Sequence, residues 1–244
     1  MPNHCQNTIT ITGEKGYLED FIYFHLTDME QPLNTDNLRD NDFIEFSFES
    51  VLPKPIELEE IISGSCNIDG ERHKIWRYID GKNVAIPPEE QELILQRCGA
   101  TNLYDWCIKN WSTKWDCYNY HLETPLGSML FQQPVFVPYN DATTYGMEGY
   151  APFYMIQMSF TTAWSPPENV LDTLSEMNPR LLICNKWEEE GGYEGELVYL
   201  AGDCIFEESR QTGHEIYELT DTYQHELRKL SDNNYASDND DIQG

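Results

Sequence analysis

Phe153-Tyr-Met-Ile-Gln-Met-Ser-Phe-Thr161 runs into Thr-Ala-Trp-Ser-Pro-Pro167, and the pair decides how the chain is read. The first block is rich in aromatic and apolar residues and predicts a strand, which Trp164-Ser165 and the two prolines end in a polar turn. Pro166-Pro-Glu168 then opens a helix carrying Val170, Leu171, Leu174 and Met177 at helical spacing, stopped by Asn178-Pro179. Leu181 to Trp187 predicts the next strand, with Glu194 to Phe206 as its hairpin partner across Gly191-Gly192. The second half thus reads β–α–β–β.

The N-terminal part repeats the theme. Thr8-Ile-Thr-Ile-Thr12 alternates β-branched residues up to Gly13, and Leu18, Phe21, Ile22 and Leu26 recur at helical spacing. Phe43 to Leu52 predicts the second strand of this unit, closed by Pro53-Lys-Pro55. Residues 56–110 read mainly as short helices: Pro87-Pro-Glu-Glu90 is a helix start and Gly99 a stop. Residues 103–110 add another helical turn or two before a strand-like Thr113 to Tyr120. Residues 123–151 hold six Gly/Pro breakers and predict an irregular insertion with a hairpin at Val135-Phe-Val137. Two β–α–β units around a helical insertion predict an α+β fold. It is a ferredoxin-like split βαβ antiparallel sheet with a disordered acidic tail. One elaborated domain over 1–230 and a tail over 231–244 are expected.

Charge is the second strong signal. The 244 residues carry 43 acidic and 15 basic side chains, a net charge of −28. Residues 28–60 hold ten acids against two bases, and 188–244 hold sixteen against three. Such a chain repels nucleic acid and anionic membranes and is drawn to basic surfaces. No run of about eighteen apolar residues exists and no signal-like N-terminus precedes the first strand, so a cytoplasmic protein is expected. The seven cysteines form no Cys-x-x-Cys pair and the six histidines show no ligand spacing, so no metal and no cofactor are expected.

Candidate site residues cluster in Tyr104-Asp-Trp-Cys-Ile-Lys-Asn-Trp-Ser-Thr-Lys-Trp-Asp116, where three tryptophans fall within ten residues. Trp111, Lys114, Trp115 and Asp116, with Trp164 from the later turn, are expected to meet at strand ends and offer rings, a cation and an acceptor to a ligand or partner. Asn3 and Asn7 are expected to tie down backbone beside the first strand. His4 and Cys5, adjacent on a strand, point to opposite faces and make no catalytic pair. Nothing matches a phosphate-binding loop, a dinucleotide fingerprint or a nucleophile elbow, so no catalytic residue is assigned and no enzyme is expected.

Five blocks of the chain carry a resemblance: Met1-Pro-Asn-His-Cys-Gln-Asn7, Val51-Leu-Pro-Lys-Pro55, Asn110-Trp-Ser-Thr-Lys-Trp-Asp116, Phe160-Thr-Thr-Ala-Trp-Ser-Pro-Pro167 and the later Glu-Glu-Gly-Gly run. Together, over about residues 1–206, they resemble the YubB-like, ferredoxin-like family of bacteriophage and plasmid proteins. The chain departs from that pattern at His4, where the family has an aromatic, and at Ser112, where it has glycine. The resemblance implies a ferredoxin-like fold and a mobile-element origin, and brings no activity with it. Joined to the charge, it gives a functional expectation. The chain is a non-enzymatic acidic inhibitor, or nucleic-acid-mimicking decoy, of a host defence protein with a basic surface. Its acidic faces are expected to include Glu57, Glu59, Glu60, Glu188, Glu189 and Glu190. The alternative is a module that sequesters a nucleotide signal in a Trp/Lys cleft.

Overall fold

A computed structural model describes residues 3–26, 45–122, 135–139 and 149–212. Strand β1 (His4–Gly13) sends Cys5, Asn7, Ile9 and Ile11 into the core, while Gln6, Thr8 and Thr10 face the other way. That is the period-two alternation of a strand buried on one side. Helix α1 (Lys15–Leu26) buries Leu18, Phe21, Ile22 and Leu26, as their spacing predicts.

The predicted second strand at Phe43–Leu52 is not a strand where it is described. Residues 45–47 are irregular and Phe48–Ser50 is a single 3₁₀ turn. The alternation of Phe46 and Phe48 imitates a strand because both rings enter the core. The backbone, however, is diverted into capping. Ser47 accepts from the Glu49 amide, and the Phe48 amide donates to Asp116.

The strand that completes the first unit comes much later, at β5 (Tyr118–Leu122). It pairs antiparallel with β7 (Gly149–Ala163), which pairs antiparallel with β1. On the other side of β1 lies β8 (Leu182–Glu189), again antiparallel. β1 and β5 are therefore parallel with β7 between them, while β7 and β8 are parallel with β1 between them. Helix α1 serves the first crossover and α4 (Glu168–Met177) the second. These interleaved split βαβ units make a ferredoxin-like fold. The expected single hairpin partner over Glu194–Phe206 is two strands, β9 (Tyr193–Leu200) and β10 (Asp203–Gln211), which turn at Ala201-Gly202 and extend the sheet past β8. Gly202 is needed there: its φ is +85° and an added Cβ would lie 3.2 Å from Cβ of Glu176 in α4.

The expected helical insertion needs a larger correction. Residues 62–85 form a separate antiparallel sheet of β2 (Ile62–Ile68), β3 (Glu71–Ile79) and β4 (Lys82–Ala85). The cause is two Asp-Gly turns. Asp69-Gly70 and Asp80-Gly81 all have positive φ, the geometry that two-residue hairpins require. Helices α2 (Pro88–Cys98) and α3 (Leu103–Trp111) follow, and α2 begins at the predicted proline and ends on a left-handed Gly99. Strand β6 (Val135–Tyr139) pairs with residues 149–153 of β7, the hairpin expected in the 123–151 region. The remainder of that region and the expected tail at 231–244 lie outside the described residues. Among the described residues no helix is long and apolar enough to cross a membrane.

Candidate partner-binding site

Helix α3 ends in a turn that sorts the tryptophans. Asn102 caps its start by accepting from the Asp105 amide, and Trp106, Cys107 and Trp111 line its buried face. Trp111 is 2% exposed. Its indole N–H donates to the Leu52 carbonyl at 2.9 Å, and its ring meets Phe48 and Trp106 edge-on at 5.7 and 5.4 Å. Trp111 is thus a core residue, which removes it from the expected ligand-facing set. A helix that is apolar at 106, 107 and 111 has to bury that face.

Asp116 is also turned inward. One carboxylate oxygen accepts from the amides of Phe48 and Cys117 at 2.8 Å each, and the other from the Ser47 hydroxyl at 2.5 Å. It fastens the 45–52 segment to the start of β5 and has little capacity left for a ligand. The expectation that it serves as a ligand acceptor is corrected on that ground.

Lys114, Trp115 and Trp164 do come together, although Lys114 and Trp115 lie in a bend between α3 and β5, and the strand expected from Thr113 begins only at Tyr118. The Lys114 ammonium lies 4.9 Å from the Trp115 ring centre, 5.3 Å from that of Trp164 and 5.7 Å from that of Tyr104. All are within cation–π range. Tyr104, Trp115 and Trp164 are 37%, 38% and 41% exposed. Tyr104 is the residue that sequence reasoning missed as a site. A signal was present, since Tyr104 and Ile108 are bulky residues on the solvent side of a helix whose other face is already apolar.

Trp115 and Trp164 sit on turns that the fold holds firmly, and Tyr104 on the helix beside them. Ser112 caps α3 in the left-handed region, and its carbonyl accepts from the Ser165 hydroxyl at 2.6 Å. The Asn169 amide donates to the Lys109 carbonyl at 2.8 Å. Trp164 has φ +78°, a costly conformation for a large side chain. It is stabilised by its amide donating to the Asn3 carbonyl at 3.0 Å, and by Thr162 donating to the Ser165 carbonyl at 2.7 Å. Behind it, the buried Asn7 amide donates to Thr162 and to the Cys5 carbonyl, and the Asn185 amide donates to Asn7. Asn7 thus ties backbone through its side chain as expected, while Asn3 contributes its main-chain carbonyl.

The acidic residues divide. Glu57 receives the Cys98 thiol at 3.0 Å and Arg97 at 3.3 Å, and Glu59 pairs with Lys54 at 3.3 Å, while Glu60 is exposed. Glu189 accepts from the Gly191 amide and Glu190 from the His4 amide, so both shape the β8–β9 turn. Glu188 lies with Glu194, Glu196 and Glu208 around a shallow groove of about 300 Å³ on the sheet, balanced in part by Lys186 and Arg210.

His4 and Cys5 do part company. Cys5 is fully buried, and burial pushes its thiol up to about 12, while the His4 ring meets the Tyr118 hydroxyl. Burial also raises Cys98 and Cys107 to about 11. These thiols stay protonated at neutral pH and are poor nucleophiles. Among the described residues no group of three or more His, Cys, Asp or Glu could hold a metal ion.

Comparison with known proteins bears on the fold. Residues 150–227 match the family described as the ferredoxin-like domain in Api92-like protein. A crystal structure of protein api92 from Yersinia pseudotuberculosis aligns over 89% of this chain and 100% of its own, at 12% identity and a TM-score of 0.39. No curated protein matches. The matched segment spans β7, α4 and β8–β10 and names a fold without an activity. Residues 150–227 are therefore similar to the ferredoxin-like domain of Api92-like proteins.

Proposed function

We propose that the chain is a non-enzymatic binding protein that occupies a basic surface on a host protein, as an acidic inhibitor or nucleic-acid-mimicking decoy. One observation carries the reading: Tyr104 on helix α3 and Trp115 and Trp164 on tied-down turns stand half-exposed, and the fold keeps a strained Trp164 backbone rather than burying the ring. Exposed tryptophan and tyrosine on rigid supports are the residue types that dominate protein contacts. The net charge of −28 speeds encounter with a basic partner, and the rings supply the lasting contact. The YubB-like resemblance of the sequence blocks supplies the phage or plasmid setting, with host defence machinery as the target class. The nucleotide-sequestering alternative is weakened, because Trp111 and Asp116 are committed inside the fold and leave Lys114 against open rings.

The test is capture from bacterial lysate by the tagged full chain at low and high salt, with mass spectrometry of what is retained. A basic, nucleic-acid-handling protein is expected. It should wash off with salt, because exposed charges are screened beyond about 8 Å at physiological ionic strength. It should also be lost when Trp115 and Trp164 are both changed to leucine. Retention of the same protein by a correctly folded Trp115→Leu/Trp164→Leu chain would overturn the reading.

A further inference from the structure

We propose that Tyr104, Trp115 and Trp164 form a cage for a cationic side chain of the partner, arginine above all, and that Lys114 fills this cage in the unbound protein and leaves it on binding. The proposal rests on the partner-binding reading and gives the contact its chemistry.

The rings already hold a cation. The Lys114 ammonium lies within 5.7 Å of all three ring centres, and their electron-rich faces attract it electrostatically. Lys114 makes no ion pair among the described residues, although the chain has 43 acids. Three acids of this part of the fold are used elsewhere. Asp105 accepts from the Asn102 amide, Asp116 from Phe48, Ser47 and Cys117, and Glu190 from His4. Among the described residues only the rings hold the ammonium, so no buried charge is stranded when it swings out to water on its flexible four-carbon stem. An arriving guanidinium fits the place better. It is planar, is more weakly hydrated than an ammonium, and stacks on indole faces. The surrounding field favours it too, since a chain of net charge −28 draws cations to its surface and repels anions.

Occupancy by Lys114 has a measurable consequence: it competes with the ligand. The full chain would be titrated with an acetylated, amidated Gly-Gly-Arg-Gly-Gly peptide at ~150 mM salt, where surface charge is largely screened. Tryptophan fluorescence reports binding, and the same peptide with citrulline in place of arginine is the neutral control. Lys114→Met removes the competing cation and should tighten arginine-peptide binding roughly two- to five-fold, the range expected for an exposed cation–π contact. Trp164→Leu or Tyr104→Leu on that background should abolish the gain, with unchanged unfolding midpoints showing intact folding. The citrulline peptide should not bind. Unchanged or weaker binding by Lys114→Met would overturn the proposal, as would a gain that survives loss of the rings. ATP binding that Lys114→Met destroys would also overturn it, by showing that the lysine serves an anion. These outcomes are separate from lysate capture. Partner capture that needs the rings but weakens in Lys114→Met leaves the binding reading standing and removes the cage exchange. Peptide binding without any captured partner does the reverse.

Discussion

Trp111 and Trp115 are four residues apart and belong to two different regions of the molecule. Trp111 joins Trp106, Phe48 and Phe160 in an aromatic core beneath the sheet, with its indole N–H satisfied by Leu52. Trp115 joins Trp164 and Tyr104 on the surface, around a lysine. The residue type is the same, and the left-handed turn at Ser112 separates the two fates. An aromatic-rich segment can therefore serve the core and a contact surface at once, provided a fixed turn lies between them.

The largest expected effect breaks the buried side. Trp111→Ala leaves a cavity between α3 and the 45–52 segment and strands the Leu52 carbonyl, so stability should fall by about 3–5 kcal/mol in urea unfolding. A comparable loss should come from acid. His25 is buried against Phe21, and burial lowers its pKa to about 4 from 6.5. The unfolded chain takes the proton first, so the contribution is complete above pH 6.5 and is lost as pH falls through 4, about 3 kcal/mol in all. The comparison of wild type with His25→Gln over this window isolates the effect, because the carboxylates titrate in both chains. Wild-type stability should fall more steeply than that of the variant.

Asp116→Ala should cost about 2–3 kcal/mol, since two amides and a hydroxyl lose a charged acceptor. Asp116→Asn should recover part of this by keeping one acceptor oxygen. On the exposed side the stability effect should be smallest. Trp115→Leu and Trp164→Leu should each change unfolding by about 1 kcal/mol or less, because both rings remain partly in water. A loss as large as that of Trp111→Ala would make them core residues and erase the distinction between the two regions.

Much of the frame is legible in the residues. The alternation of Thr8–Thr12, the helical spacing of Val170, Leu171 and Leu174, and the proline start and glycine stop of α2 each carry their own local signal. The split of the first unit is less legible. Phe46 and Phe48 alternate as a strand would, and only the long-range bonds from Ser47 and Phe48 to Asp116 show that the chain turns there. The β2–β4 sheet is a different case, because its two Asp-Gly turns are plain in the sequence while the apolar pattern around them is too sparse to mark strands. In the site, the charge and the rings are visible as residue types. Which tryptophan is buried is not, because it depends on how Ser112 and Ser165 meet across 53 positions. Tyr104 reaches the cage for the same reason: α3 packs beside α4 and carries it to Trp164.

The central claim is that the exposed rings contact a partner while the buried ones support them. The most direct measurement is quantitative capture of the lysate partner by wild type and by Trp115→Leu/Trp164→Leu, with urea unfolding of both chains run alongside. Partner contact through the exposed rings requires near-equal unfolding midpoints and loss of capture in the variant. Equal capture at equal stability would contradict it.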